Sequence, residues 1–139
     1  MTTNSLSDLK IQLNTIETKD ANIRITTTTS PKIEFLDVQV ENNHGQLRTS
    51  VFHKPAAEPY IVPFLSDHPR HVHRNIIKGQ LIRAARLCSH VEDFNDERLN
   101  TEFTLLLNGY PPRFISYYFK EFFQQNNVSI LMEKLEQVT

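Results

Sequence analysis

Residues 55–88 read PAAEPYIVPFLSDHPRHVHRNIIKGQLIRAARLC, and a change of pattern within them decides the fold. The prolines between residues 55 and 69 remove backbone donors and hold the chain in extended or turn geometry, which predicts a connector. Residues 22–54, before the connector, alternate with a period of two, whereas the residues after it follow a helical period. We therefore predict an α+β fold with an N-terminal helix, a small antiparallel sheet containing a hairpin, and a C-terminal bundle of three to five helices.

The N-terminal part is predicted to hold the first helix and three strands. Residues 5–18 form an amphipathic pattern opened by Ser5 or Ser7. Residues 23–29, 33–41 and 47–51 predict strands, and Asn42-Asn43-His44-Gly45 predicts the hairpin turn. The strand over residues 33–41 shifts its apolar side chains from odd to even positions, which indicates a bulge or burial on both faces.

The C-terminal part is predicted to be helical over residues 69–74, 75–88, about 112–123 and about 129–137, with one more helix that ends at Asn108. The helix over residues 75–88 and the helix after it form a pair joined by a short turn at Ser89, whose spacing to Glu92 matches a capping box. Asp93 or Asn95 is the alternative start of the second of these helices. Asn108-Gly109 predicts a left-handed cap. Apolar side chains of the connector and of the third helix are predicted to be core: Tyr60, Ile61, Phe64, Leu65, Leu99, Phe103, Leu106 and Leu107. The domain prediction is residues 1–66 and 67–139 within one compact unit.

Charge is unevenly distributed along a chain whose formal net charge is only −1. Residues 67–91 carry five basic side chains against the acid Asp67, whereas residues 92–139 carry four basic against eight acidic ones. A phosphate backbone is therefore a candidate partner, and pairing with the acids that follow is the alternative. The predicted nucleic-acid-binding residues are His68, Arg70, Arg74, Asn75, Lys78, Arg83, Arg86 and Ser89.

The positive face belongs to the helix over residues 75–88. Its apolar face is predicted to contain Ile77, Leu81, Ala84, Ala85 and Cys88. Arginine on the opposite side can contact phosphate oxygens in a bidentate manner, and Asn75 and Ser89 can add neutral hydrogen bonds. Cys88 is interpreted as a core residue rather than as a nucleophile.

Two further motifs have a functional and a structural interpretation. His68, His71 and His73 could converge on a metal ion, but no second ligand cluster accompanies them, so phosphate contact or helix capping is favoured. The aromatic run from Tyr117 to Phe123 could stack on bases, but its helical spacing favours core packing. The sequence predicts no metal, no cofactor and no catalytic residue.

Five blocks in fixed order carry a resemblance to a known family. They are Phe35-Leu36-Asp37-Val38, Val51-Phe52-His53-Lys54-Pro55, the stretch from Ser66 to Val72, Arg83-Ala84-Ala85-Arg86-Leu87-Cys88-Ser89, and Leu107-Asn108-Gly109-Tyr110-Pro111. In this order they resemble the region just downstream of the polymerase core in animal retroelement reverse transcriptases, especially the Penelope-like type. The resemblance implies a thumb-like, helix-turn-helix region in which His68, Arg70, Arg83, Arg86 and Ser89 face the template and primer duplex.

The resemblance does not extend to catalysis. Reverse transcriptases need adjacent aspartates to hold metal ions, and no Asp-Asp pair occurs in the sequence. We therefore predict a non-enzymatic fragment that binds RNA, DNA or hybrid duplexes without base specificity. The alternative is a truncated relic or a module that binds a polymerase palm domain or another protein. No membrane partner is expected, and an intracellular location, nuclear or cytoplasmic, is predicted because the start lacks a secretory signal.

Overall fold

A computed structural model describes residues 5–126 of the chain. The chain divides into two compact units, Met1–Pro31 and Lys32–Thr139. Within residues 5–126 the fold is α+β, with an N-terminal helix, a three-stranded antiparallel sheet and three further helices, as the sequence predicts. The helix predicted over residues 129–137 lies outside the described residues.

The first unit contains helix α1, Leu6–Glu17, which Ser5 caps by accepting a hydrogen bond from the Asp8 backbone N–H. This confirms the predicted helix and its start. The strand predicted over residues 23–29 is wrong, because these residues form no regular secondary structure and join no sheet. β-Branched residues favour extended backbone, but a strand also needs a partner for its hydrogen bonds. Here the Thr27 hydroxyl instead donates to the Glu17 carboxylate.

The second unit begins with strands β1 (Lys32–Phe35), β2 (Val38–Asn43) and β3 (Gln46–Val51), which pair in that order. The predicted single strand over residues 33–41 is therefore wrong. Its change of period marks a tight turn at Leu36-Asp37, where Leu36 takes a left-handed φ of 54°. The second hairpin is confirmed: His44 and Gly45 have φ values of 53° and 91°, which is the geometry of a type I′ turn.

Helices α2 (Arg70–Leu87), α3 (Val91–Leu107) and α4 (Pro112–Gln125) complete the described part of the second unit. The two helices predicted over residues 69–74 and 75–88 are one continuous helix that starts directly after Pro69. Helix α3 starts after His90, so the predicted starts at Ser89, Asp93 or Asn95 are wrong. The left-handed cap is confirmed at Gly109, whose φ is 82°.

The core lies among these three helices. Ile77 and Leu81 of α2 meet Leu105 of α3, and aromatic residues of α4 close the cluster. Phe119, Phe122 and Phe123 are buried, which confirms the core interpretation of the aromatic run for these residues, whereas Tyr117 at its start is exposed. The buried Tyr110 hydroxyl donates to the Val62 carbonyl at 2.9 Å, and burial raises the pKa of this phenol, so it stays neutral.

Several predicted core positions are wrong. The apolar residues of α3, Leu99, Phe103, Leu106 and Leu107, are exposed, because α3 packs through Glu97, Thr101 and Leu105 instead. Tyr60 and Leu65 of the connector are 84% and 91% exposed, whereas Ile61 and Phe64 pack on the core as predicted. Ala85 is also exposed. The buried stripe of α2 passes through Ala84, and the next residue of a helix is turned about 100° away from it. Among the helices of residues 5–126, none combines the length and apolar character needed to cross a bilayer.

Polar contacts join β3 and the segment after it to α3. Arg48 donates two hydrogen bonds to the Asp93 carboxylate, at 2.7 and 2.9 Å. The His53 imidazole lies 2.8 Å from the nearly buried Glu97 carboxylate. Charge and packing thus fix α3 against the sheet.

The Arg48–Asp93 pair makes stability depend on pH. The hydrogen bonds from Arg48 hold the pKa of Asp93 below its usual value. The pair therefore stabilises the fold above about pH 4, and this stabilisation is lost as pH falls through the lowered pKa. We expect Asp93→Asn to destabilise the protein at pH 7, and the difference from the wild type to shrink as pH falls below about 4 and through the lowered pKa of Asp93. Urea unfolding across this range measures the difference. Glu92→Gln, in the same first turn, is the control and should show no comparable pH-dependent gap.

Candidate nucleic-acid interface

Helix α2 concentrates positive charge on an exposed surface. It carries five basic and no acidic side chains, and Arg70, Arg74, Lys78 and Arg86 are exposed. The first three recur every four residues, which places them along one side of the helix. Of the described residues, the acid that pairs with an α2 cation is Asp37, 3.3 Å from Arg83. The alternative prediction was that this basic segment pairs with the acids of α3. Among the described residues no ion pair joins α2 to α3, so this alternative is wrong.

Arg74 and Lys78 face a shallow groove between α2 and α4. The groove has a volume of about 220 Å³ and is lined by Asn75 from α2 and by Tyr118, Glu121, Phe122 and Gln125 from α4. Gln125 donates to the Glu121 carboxylate at 3.2 Å. The groove therefore offers two cations, amide groups and a tyrosine beside a single carboxylate, a set that suits phosphate and sugar oxygens.

None of the α4 residues of this groove was among the predicted binding residues: Glu121 and Gln125 were missed, and Tyr118 and Phe122 belong to the aromatic run that was interpreted as core. Tyr118, Glu121, Phe122 and Gln125 follow a helical spacing, which could have placed them on one face. However, spacing within α4 does not show that this face borders the cations of α2. Only the packing of the two helices brings them together.

Other predicted site residues lie elsewhere. Arg83 is half-buried and turned toward the β1–β2 turn by its ion pair with Asp37. Ser89 forms a clamp between α2 and the sheet, since its hydroxyl accepts from the Thr49 backbone N–H and its own N–H donates to the Thr49 carbonyl, both at 3.0 Å. The predicted capping box at Ser89 is therefore replaced by a contact with β3.

The three histidines do not form a metal site. His73 is buried and its Nδ1 lies 3.1 Å from the Tyr110 hydroxyl; because that hydroxyl donates to Val62, the imidazole is the donor. His68 and His71 are exposed, and His68 contacts Ser66. In residues 5–126 no group of three potential ligands is arranged for a metal ion. Burial raises the pKa of the Cys88 thiol, which favours the unreactive protonated form.

Three helices joined by short turns, with basic side chains clustered on one face, are consistent with a nucleic-acid-binding region. Residues 60–120 match the family model of the animal helix-turn-helix domain. This helix-turn-helix region covers α2, α3 and most of α4. No curated protein and no solved structure matches the chain.

The charges of the helix-turn-helix region indicate which helices can approach a phosphate backbone. Helix α3 carries five acidic side chains and the single base Arg98, so it would be repelled by a polyanion. Helix α4 carries the bases Arg113 and Lys120 and the acid Glu121, but helical spacing places both bases on the side away from the groove. The positive charge beside the groove therefore comes from Arg74 and Lys78 of α2. The α2–α4 side is therefore the candidate interface.

Proposed function

We propose that the helix-turn-helix region binds duplex nucleic acid through phosphate contacts along the α2–α4 side, and that the chain has no catalytic activity of its own. The observation that carries this proposal is the exposed, acid-free surface of α2 beside the polar groove of α4. The match of residues 60–120 to a helix-turn-helix family supports it. The predicted phosphate contacts are Arg70, Arg74, Lys78 and Arg86.

Binding of this kind recognises backbone rather than sequence. Arginine and lysine neutralise phosphates and release counterions from any duplex, whereas discrimination between bases requires side chains at base edges. In a helix-turn-helix of the base-reading type the second helix enters the major groove. If α3 took that position, its five acidic side chains would oppose such entry, so base-specific recognition through α3 is not proposed.

We further propose that the region is related to the thumb of animal retroelement reverse transcriptases of the Penelope-like type. Three of the five blocks that carry the resemblance lie within the matched helix-turn-helix residues: Ser66 to Val72, Arg83 to Ser89, and Leu107 to Pro111. A thumb follows the shape of a duplex through its backbone, which agrees with the proposed mode of binding.

Salt dependence tests the proposed function. We expect labelled DNA, RNA and hybrid duplexes of one length to bind with affinities that fall steeply between about 50 and 200 mM salt. For DNA, three or four phosphate contacts predict a log-log slope of about −2.7 to −3.6. Fluorescence anisotropy at several salt concentrations measures this slope. Absence of binding at low salt, or strong preference for one base sequence, would contradict the proposal.

A further inference from the structure

Helix α3 presents an exposed face whose spacing is that of a coiled-coil seam. Glu92, Asp96, Leu99, Phe103 and Leu106 are separated by four, three, four and three residues, and all five side chains are exposed. This alternation is the heptad pattern that keeps one face of a helix turned toward a partner helix. The face is distinct from the buried face of α3. We call these five residues the α3 seam.

The apolar half of the α3 seam is unusual for a helix facing water. Phe103 is 60% exposed and Leu99 49% exposed, and Leu107 beside them is also exposed. Contiguous apolar side chains on a surface mark a site of interaction more often than isolated ones do. Phe103 also lines a cleft of about 380 Å³ that contains Tyr60 and the His53–Glu97 pair. The patch therefore continues beyond the helix itself.

The acidic half of the α3 seam selects among the possible occupants. A phosphate backbone would be repelled by Glu92 and Asp96. An antiparallel second copy centred on Phe103 would use only the three apolar residues and leave both carboxylates without a partner. A second copy aligned along the whole α3 seam fits poorly in either direction: parallel pairing places Glu92 and Asp96 beside their own copies, and antiparallel pairing about Leu99 places these carboxylates against Leu106 and Phe103. Both arrangements oppose like charges or bury charge against apolar surface.

We propose that the α3 seam binds a helix of a partner protein whose own seam combines apolar residues with lysine or arginine. Leucine-like residues of this helix would cover Leu99, Phe103 and Leu106, and its cations would lie beside Glu92 and Asp96. The helix-turn-helix region would thus use α2 and α4 for nucleic acid and α3 for a protein. The α3 seam does not depend on the nucleic-acid proposal, since it shares no residue with that surface.

Synthetic helical peptides of about 18 residues provide the probe, with five seam positions to match those of α3. One peptide has the seam Lys-Lys-Leu-Leu-Leu, a second has the reverse order for antiparallel binding, and a third replaces both lysines of the better binder by glutamate. Fluorescence anisotropy with the full chain measures affinity. We expect the better lysine peptide to bind at least about tenfold tighter than its glutamate counterpart.

Variants of the chain place the binding on the α3 seam. Phe103→Glu should weaken the lysine peptide by about tenfold or more, and Asp96→Lys should shift the preference toward the glutamate peptide. Tyr117→Glu makes the same kind of change at a 64% exposed aromatic residue of α4 and should leave peptide binding unchanged. Circular dichroism and thermal unfolding confirm that each variant is folded.

Three results would overturn the proposal. The first is failure of every peptide to bind the wild type, and the second is equal binding of the lysine and glutamate peptides. The third is a concentration-dependent dimer, seen by light scattering, that Phe103→Glu converts to a monomer, since this would assign the α3 seam to a second copy. Duplex binding measured on the same variants distinguishes the α3 seam from the α2–α4 side, because Phe103→Glu should leave the affinity for duplexes unchanged.

Discussion

Replacing Arg74 and Lys78 together by glutamine should weaken binding to every duplex by roughly 10- to 100-fold at low salt. The two side chains are exposed and border the groove with α4. Among the residues that line this groove, Glu121 is the acidic one. The slope of affinity against salt for DNA should flatten by about 1.8, because two phosphate contacts are lost. Glutamine keeps the helix propensity of the original residues, so the fold should be retained.

Two comparisons make this experiment specific. The control variant Lys10→Gln with Lys19→Gln removes the same charge from exposed positions in the first unit and should change duplex affinity little. Glu121→Gln removes the carboxylate of the groove and should act in the opposite direction, raising affinity. Equal losses from the two double variants would show that net charge, and not the α2–α4 side, governs binding.

Replacing Leu105 by alanine should lower the free energy of unfolding by about 2 to 5 kcal/mol. Leu105 is fully buried at the contact of α3 with Ile77, Leu81 and the aromatic residues of α4. The truncation removes apolar contacts and leaves a cavity that rigid neighbours fill only in part. Chemical denaturation followed by circular dichroism gives the change in unfolding free energy.

Leu106 provides the matched control for Leu105. It is the next residue of the same helix but is 44% exposed on the α3 seam. We expect Leu106→Ala to change the unfolding free energy by no more than about 0.5 kcal/mol, as is usual for surface positions. A similar cost for both variants would mean that α3 is buried on both sides in solution.

Local signals predicted most of the architecture. The turn at His44-Gly45, the cap at Gly109 and the helix over α4 each depend on residues close in sequence, whose backbone preferences act without help from the rest of the chain. The prolines of the connector likewise end the β region before residue 70. The basic surface of α2 was predictable because charge clustering is visible in the sequence itself.

The failures arose where distant parts of the chain decide the outcome. The apolar residues of α3 were assigned to the core because an apolar stripe is normally buried, yet Glu97 and Thr101 occupy that face. His53, 44 residues earlier, approaches the Glu97 carboxylate and makes its burial possible. No local pattern reveals such a pairing. The groove residues of α4 were missed for the same reason.

The opposite charges of α2 and α3 give the second unit an electric dipole that the net charge of −1 conceals. These helices pack through their buried faces, so their charged faces point away from this shared contact. Near a polyanion such a dipole experiences a torque that turns α2 toward the polyanion and α3 away from it before any contact forms. If the chain binds duplexes as proposed, it would reach them already oriented, with its acidic helix accessible on the far side.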